Sequence, residues 1–257
     1  MSTKINYAKI LGVESVAPAA VFAVAYFPLF VWFVRQSIGR PTYVFIVLSF
    51  FCCIRIAAFT IRAVLAGSES AGENLSLYIA DSVLFGVGFF ALLYSAYTLV
   101  LDRWSLLDAP PERGVLRLTQ NRTIFKVIML AAVVLGIIGS SKASSSDPQN
   151  GKVYRMASSI IFLVLTAVLA AHTIRLALTE GKVGFRTSET DTLGSKHGAY
   201  ISCLIAALLL VREAFAIATV GNVSKQNNEH LWYPLFALPE ILSVIFFATP
   251  CLVPIPK

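Results

Sequence analysis

The sequence predicts an all-α polytopic membrane protein, one domain over residues 1–257 built as a single bundle of seven transmembrane helices. Three observations carry this. Hydrophobic residues make up 57% of the chain and charged residues 14%, whereas soluble domains run at about 45–50% apolar and about 25% charged. Seven stretches approach the ~20 apolar residues a spanning helix needs, and they use up most of the length. The net charge of +7 is spread through the connections between those stretches, which excludes the patch or stripe of a nucleic-acid binder and leaves the lipid bilayer as the expected surround.

The first span is predicted over Val16–Val34, with Pro18 and Pro28 inside it. Lys4, Lys9 and Glu14 make the preceding segment too polar for a signal peptide's apolar core, so the span is expected to stay as a signal anchor. The second runs over Tyr43–Leu65 and the third over Leu75–Leu101. The fourth, Thr123–Ile138, is short, and Lys126 near its start can snorkel to the interface. The fifth covers Val153–Leu178, the sixth Ala199–Val220 and the seventh Trp232–Leu252. Pro234, Pro239 and Pro250 free carbonyls that must be satisfied within the protein, which makes the seventh helix a candidate cavity wall. Cys52, Cys53, Cys203 and Cys251 lie in apolar stretches without metal or disulfide spacing and read as packing residues. The run Ser144–Ser146 reads as loop, and no internal repeat is visible.

Short-loop charge sets the orientation. The side holding the N-terminus and the Ala66–Asn74, Gly139–Lys152 and Gly221–Leu231 connections carries 5 Lys and Arg. The side holding Arg35, Arg40, the Asp102–Arg122 and Thr179–His197 loops and Lys257 carries 10. The N-terminus is therefore expected outside or lumenal and the C-terminus cytosolic, with the endoplasmic reticulum as the expected membrane. Glycosylation-type triplets begin at Asn74 and Asn222 on the lumenal side and at Asn121 on the cytosolic side.

Six ionisable residues inside the spans demand partners: Arg55 and Arg62 in the second, Asp81 in the third, Arg212 and Glu213 in the sixth, Glu240 in the seventh. Each would cost about 2.5–3.5 kcal/mol unpaired at mid-bilayer, so they must pair or face water. With the orientation above, all six fall in the lumenal half, and Arg55 and Arg62, seven residues apart, share a helix face. One reading is a set of buried salt bridges that fix helix register. The other is a polar pocket opening to the lumen, in which a carboxylate short of full neutralisation carries a proton and serves as general acid.

Aromatic residues surround these charges: Phe51 and Phe59 around Arg55, Tyr78 and Phe85 around Asp81, Phe236 and Phe247 on the face of Glu240. Ring faces stabilise cations, as a reaction through carbocations requires, although a chain with 18 Phe places rings near many residues by composition alone. His172 and Arg175, toward the cytosolic end of the fifth span, have no Cys, Asp or Glu at ligand spacing, so no metal is assigned. Glu69 and Glu73 read as solvated or as the pocket's rim, and His230 with Trp232 and Tyr233 as an interfacial belt. There is no glycine-rich nucleotide loop, no GxSxG, no HExxH, and no lysine in mid-seventh span for a retinal Schiff base.

The segments GFFALLYSAYTLVLDR (Gly88 to Arg103) and WYPLFALPEILSVIFFATPCLVP (Trp232 to Pro254) resemble a large family of fungal seven-span membrane proteins. That family includes the membrane-bound terpene cyclases of meroterpenoid secondary metabolism, of the ascochlorin, ascofuranone and macrophorin type. The resemblance implies a cyclase of isomerase or lyase type, free of cofactor and metal, that protonates a terminal epoxide or olefin of a prenylated aromatic substrate and cyclises it through a carbocation. The absence of a DDxxD motif agrees with this. On the physical argument, Asp81 or Glu240 is the acid, Glu213 with Arg212 its support, and Arg55 and Arg62 set the acid or hold a polar head, with Tyr78, Phe85 and Phe236 as further binding residues. The expected partner is a lipophilic small molecule; a seven-helix receptor and a lipid or metabolite transporter are the competing readings.

Overall fold

The computed structural model describes residues 12–106, 120–143, 148–183, 194 and 197–254. Lys4, Lys9, the Ser144–Ser146 run, Lys257, and residues 107–119 and 184–193 of the two long basic loops lie outside the described residues. Within the described residues every regular element is helical, and seven helices are long and apolar enough to cross a membrane. The protein is a multi-pass membrane protein.

These helices are α1 (Val16–Gly39), α2 (Tyr43–Gly67), α3 (Leu75–Trp104), α4 (Arg122–Ala143), α5 (Pro148–Val183), α6 (Gly198–Thr219) and α7 (Glu229–Phe247). All seven predicted spans are present, with different ends. α3 runs three residues past the expected Leu101 and α5 starts five before the expected Val153, at Pro148, because polar residues at a span's end continue a helix into the interface without cost to hydropathy. α7 stops at Phe247 rather than Leu252, and Thr249, Pro250 and Cys251 form a turn. Cys251 adopts φ 60° there.

α3 is the central helix, with 72% of its most apolar window buried against 17% for α1. It packs on α2, α4, α5 and α6; α1 leans on α2, and α7 on α6. Ser95, Thr166, Ser202, Thr219 and Ser243 each donate a hydrogen bond to the carbonyl four residues earlier, which is how hydroxyls are satisfied where no water is present. The asparagines of the three glycosylation-type triplets have a local duty. Asn74 Oδ1 accepts from the N–H groups of Ser76 and Leu77 at 3.0 and 3.3 Å, Asn121 Oδ1 from Thr123 and Ile124 at 2.9 and 3.4 Å, and Asn222 Oδ1 from Lys225 at 3.1 Å. Each starts a helix, where the first N–H groups lack intrahelical acceptors.

Candidate functional site

Arg55 and Arg62 project from one face of α2 toward α3, and the six intramembrane charges are all buried. Arg62 Nη1 donates to Asp81 Oδ2 at 3.3 Å. Glu240 Oε1 accepts from Arg55 Nη2 at 2.7 Å and from Arg212 Nε at 3.0 Å, and Arg212 also pairs with its neighbour Glu213. Arg55 donates further to the carbonyls of Leu84 at 3.3 Å and Phe85 at 3.1 Å. This approach to the α3 backbone depends on Gly88, where a Cβ would lie 2.8 Å from Arg55 Nη1.

α7 places its side chains through a widened turn. Tyr233–Ala237 is π-helical, the N–H of Leu238 bonding to the carbonyl of Tyr233. Pro239 has no N–H with which to continue the ordinary α-helical ladder, so the adjacent turn opens to the five-residue spacing. Trp232 and Phe236 thereby stand beside α3, and Glu240 reaches the two arginines a turn further on.

A cavity of about 150 Å³ lies between α3, α4, α5, α6 and α7. Its wall takes residues from the end of α2 (Arg62), the first half of α3 (Tyr78, Asp81, Phe85, Phe89), the end of α4 (Gly136, Ser140), the start of α5 (Arg155, Ser158, Phe162), the end of α6 (Arg212, Glu213, Ala216), the α6–α7 connection (Gln226, Asn227) and the start of α7 (Trp232, Phe236). Starts and ends alternate around it, so the cavity sits in the half of the bundle nearest the face where α1 begins. Of the residues singled out from sequence, Asp81, Glu213, Arg62, Arg212, Tyr78, Phe85 and Phe236 meet on this wall. Glu240 and Arg55 do not line it; they form a closed pair behind Phe85 and Phe236, with neither side chain exposed.

The rings near the acids already hold protein cations. The Arg212 guanidinium lies 3.9 Å from the ring centres of both Phe89 and Phe236, Arg62 lies 3.8 Å from Trp232, and Arg55 lies 4.7 Å from Phe85 and 5.0 Å from Phe51. Each guanidinium thus has a carboxylate and at least one ring face, the combination that makes a charge tolerable in a low-dielectric interior. Among the cavity's aromatic residues, Tyr78 and Phe162 hold no such cation within the described residues. Asp81 Oδ1 and Glu240 Oε2 are both buried without a hydrogen-bond partner, and of these two carboxyl groups only Asp81 lines the cavity.

Arg155, Gln226 and Asn227 escaped the sequence reading. Arg155 Nη2 donates to Gln226 Oε1 at 2.5 Å, and Asn227 Nδ2 donates to the Tyr78 hydroxyl oxygen at 3.0 Å. Arg155 lies two residues inside the predicted fifth span, where an arginine reads as an interface residue; the signal available was that it is one more cation at the depth of the others. Trp232 and Tyr233 are buried within the protein, while His230 is exposed. Glu69 and Glu73 stay off the cavity wall, and His172 is buried in α5. Among the described residues no group of three His, Cys, Asp or Glu could hold a metal ion.

At the opposite end of the bundle, Arg103 ties α3 to α5 through Glu180 at 3.2 Å and to the Gly194 carbonyl at 2.6 Å.

One family model matches the chain over residues 12–220, described as a domain of unknown function, DUF7702. No curated protein and no solved structure matches it.

Proposed function

We propose that this chain, which belongs to the DUF7702 family, is a membrane-bound cyclase that protonates an end group of a lipophilic, prenylated aromatic substrate, with Asp81 as the acid. The observation that carries the reading is the division of labour among the three carboxylates. Glu240 accepts from two arginines through Oε1 and does not line the cavity, so its second oxygen, though also without a hydrogen-bond partner, is not presented there, and Glu213 is held by the adjacent Arg212. Asp81 faces the cavity, holds a single arginine at 3.3 Å and keeps Oδ1 uncommitted. It is the carboxyl group best placed to carry a proton to a ligand.

In this reading the Asp81 O–H proton passes to the oxygen of an epoxide, whose C–O bond breaks, or to a terminal alkene carbon. The chain's next double bond closes on the cationic carbon, and a proton leaves at the end to a carboxylate of the cavity, Glu213 or the now ionised Asp81. One proton enters and one leaves, so the product is an isomer of the substrate. Arg62, in contact with Asp81, stabilises the carboxylate formed by the first transfer. The size supports an end-group reaction: an apolar cavity of about 150 Å³ holds a benzene-sized molecule, and this cavity of about 150 Å³ takes a comparable piece of a longer chain.

The test is turnover. Membranes carrying the wild-type chain, incubated with prenylated aromatic epoxides and olefins, yield cyclic isomers of unchanged mass; Asp81→Asn does not, while remaining folded. Unchanged substrates in the wild type, or equal turnover by Asp81→Asn, defeats the proposal. Binding of such compounds without turnover points instead to the receptor or transporter readings. The orientation with the α1 start in the lumen, and residence in the endoplasmic reticulum, belong to the same proposal.

A further inference from the structure

We infer that the mouth of the cavity is an anion subsite, in which Arg155 and the Tyr78 hydroxyl hold a carboxylate or phenolate carried by the lipophilic ligand. The first ground is charge. The cluster below holds three arginines and three carboxylates, each arginine in contact with at least one of the acids. Arg155 is a further guanidinium, the third on the cavity wall with Arg62 and Arg212, and among the described residues no carboxylate stands within ion-pair distance of it. Its partner is the neutral Gln226 oxygen, which accepts from one of five N–H groups. A half-buried guanidinium with unused parallel donors is the planar fork that matches a carboxylate or phosphate.

The second ground is the polarity of the neighbours. The Tyr78 oxygen accepts from Asn227 Nδ2 at 3.0 Å, which leaves its O–H to donate elsewhere. Ser158, also on the wall, spends its O–H on the Ala132 carbonyl at 2.7 Å. The donors left over at the mouth, on Arg155 and the Tyr78 hydroxyl, match a ligand that presents acceptors. Tyr78 precedes Asp81 by one helical turn, so an acidic group at the mouth places the atoms attached to it beside the proposed acid. The choice of a prenylated aromatic as carrier rests on the proposed function; the preference for an anion does not.

The full chain in phosphatidylcholine nanodiscs is titrated with a prenylated benzoic acid and with its methyl ester, by ligand-induced thermal shift, independently of turnover. The acid is expected to bind about 10- to 100-fold tighter than the ester, the worth of a charge-assisted hydrogen-bonded pair. Arg155→Gln abolishes that preference, Arg155→Lys keeps part of it, and Tyr78→Phe reduces it several-fold while ester binding holds. Should Arg155→Gln fail to fold, the Arg155→Lys and Tyr78→Phe arms read the same preference. Inorganic phosphate and nanodiscs doped with phosphatidic acid separate the sources: weak competition by either supports a substrate acid, whereas phosphatidic acid that erases the acid-over-ester preference assigns the subsite to a lipid headgroup and overturns the substrate assignment. Equal binding of acid and ester by the wild type, or an unchanged preference in Arg155→Gln, overturns the inference. Turnover lost with the preference intact counts against the cyclase alone.

Discussion

Replacing Glu240 by Gln keeps the shape of the side chain and an acceptor oxygen, but removes the charge shared by Arg55 and Arg212. Arg212 retains Glu213 and two ring faces. Arg55 retains two backbone carbonyls and the Phe51 and Phe85 rings, and no acid. One fully buried guanidinium is thus left without a counter-charge. Removing one partner of a buried pair costs about 3–5 kcal/mol; the retained acceptors place this case near the lower end, about 3 kcal/mol, or roughly 6–12 °C in unfolding temperature for a chain of this size. Asp81→Asn is expected to cost less, about 1–2 kcal/mol, because Arg62 keeps the Trp232 face and borders the cavity.

Thermal unfolding of the purified chain in nanodiscs, followed by tryptophan fluorescence, ranks the two variants. Arg55→Met with Glu240→Met removes one cation and one anion together, so it is expected to lose less than the two single changes combined, by about 1–3 kcal/mol. Additive losses in that cycle, or a Glu240→Gln variant as stable as Asp81→Asn, would refute the account of Glu240 as the anchor of the cluster.

Three more outcomes can be checked directly. Gly88→Ala drives a methyl group against the Arg55 guanidinium and is expected to destabilise by about 1–3 kcal/mol, whereas Gly86→Ala, with open space at its Cβ, is neutral or stabilising by up to ~1 kcal/mol; fluorimetric melts separate them. Glu229 Oε1 accepts from the Glu14 and Ser15 N–H groups at 2.9 and 2.8 Å, so Glu229→Ala unpins the start of α1 at a cost of about 0.5–2 kcal/mol, seen as faster hydrogen exchange over residues 14–18 with α3 unchanged. Ser70→Cys and Ser105→Cys, both exposed and on opposite faces of the bundle, test orientation with an impermeant maleimide: Ser70→Cys labels from the lumenal or outer side and Ser105→Cys only after permeabilisation, and the reverse pattern contradicts the proposed topology.

What was legible in the sequence was whatever one helix determines by itself. Span number follows from apolar length, and the need of Arg55, Arg62, Asp81, Arg212, Glu213 and Glu240 for partners follows from depth alone. Which acid meets which arginine depends on the rotation of α2, α6 and α7 against α3, and no single-helix periodicity carries that: Glu240 takes both Arg55 and Arg212, leaving Arg62 for Asp81. The rings around the acids were visible as neighbours, but their occupation by guanidinium groups depends on contacts between helices. Gln226 and Asn227 read as an ordinary polar connection, and only the return of that segment onto Arg155 and Tyr78 brings them to the cavity.

The proposed reaction takes place in the cavity bounded by Asp81 and Glu213. A prenylated aromatic acid carrying a diazirine at its terminal isoprene unit, photolysed with the full chain in nanodiscs and mapped by mass spectrometry, tests it most directly. Adducts are expected on Trp232, Phe236, Phe162 or Glu213, and are lost when Gly136→Trp fills the cavity. Adducts confined to the lipid-facing side of α1, unchanged by Gly136→Trp, would contradict it.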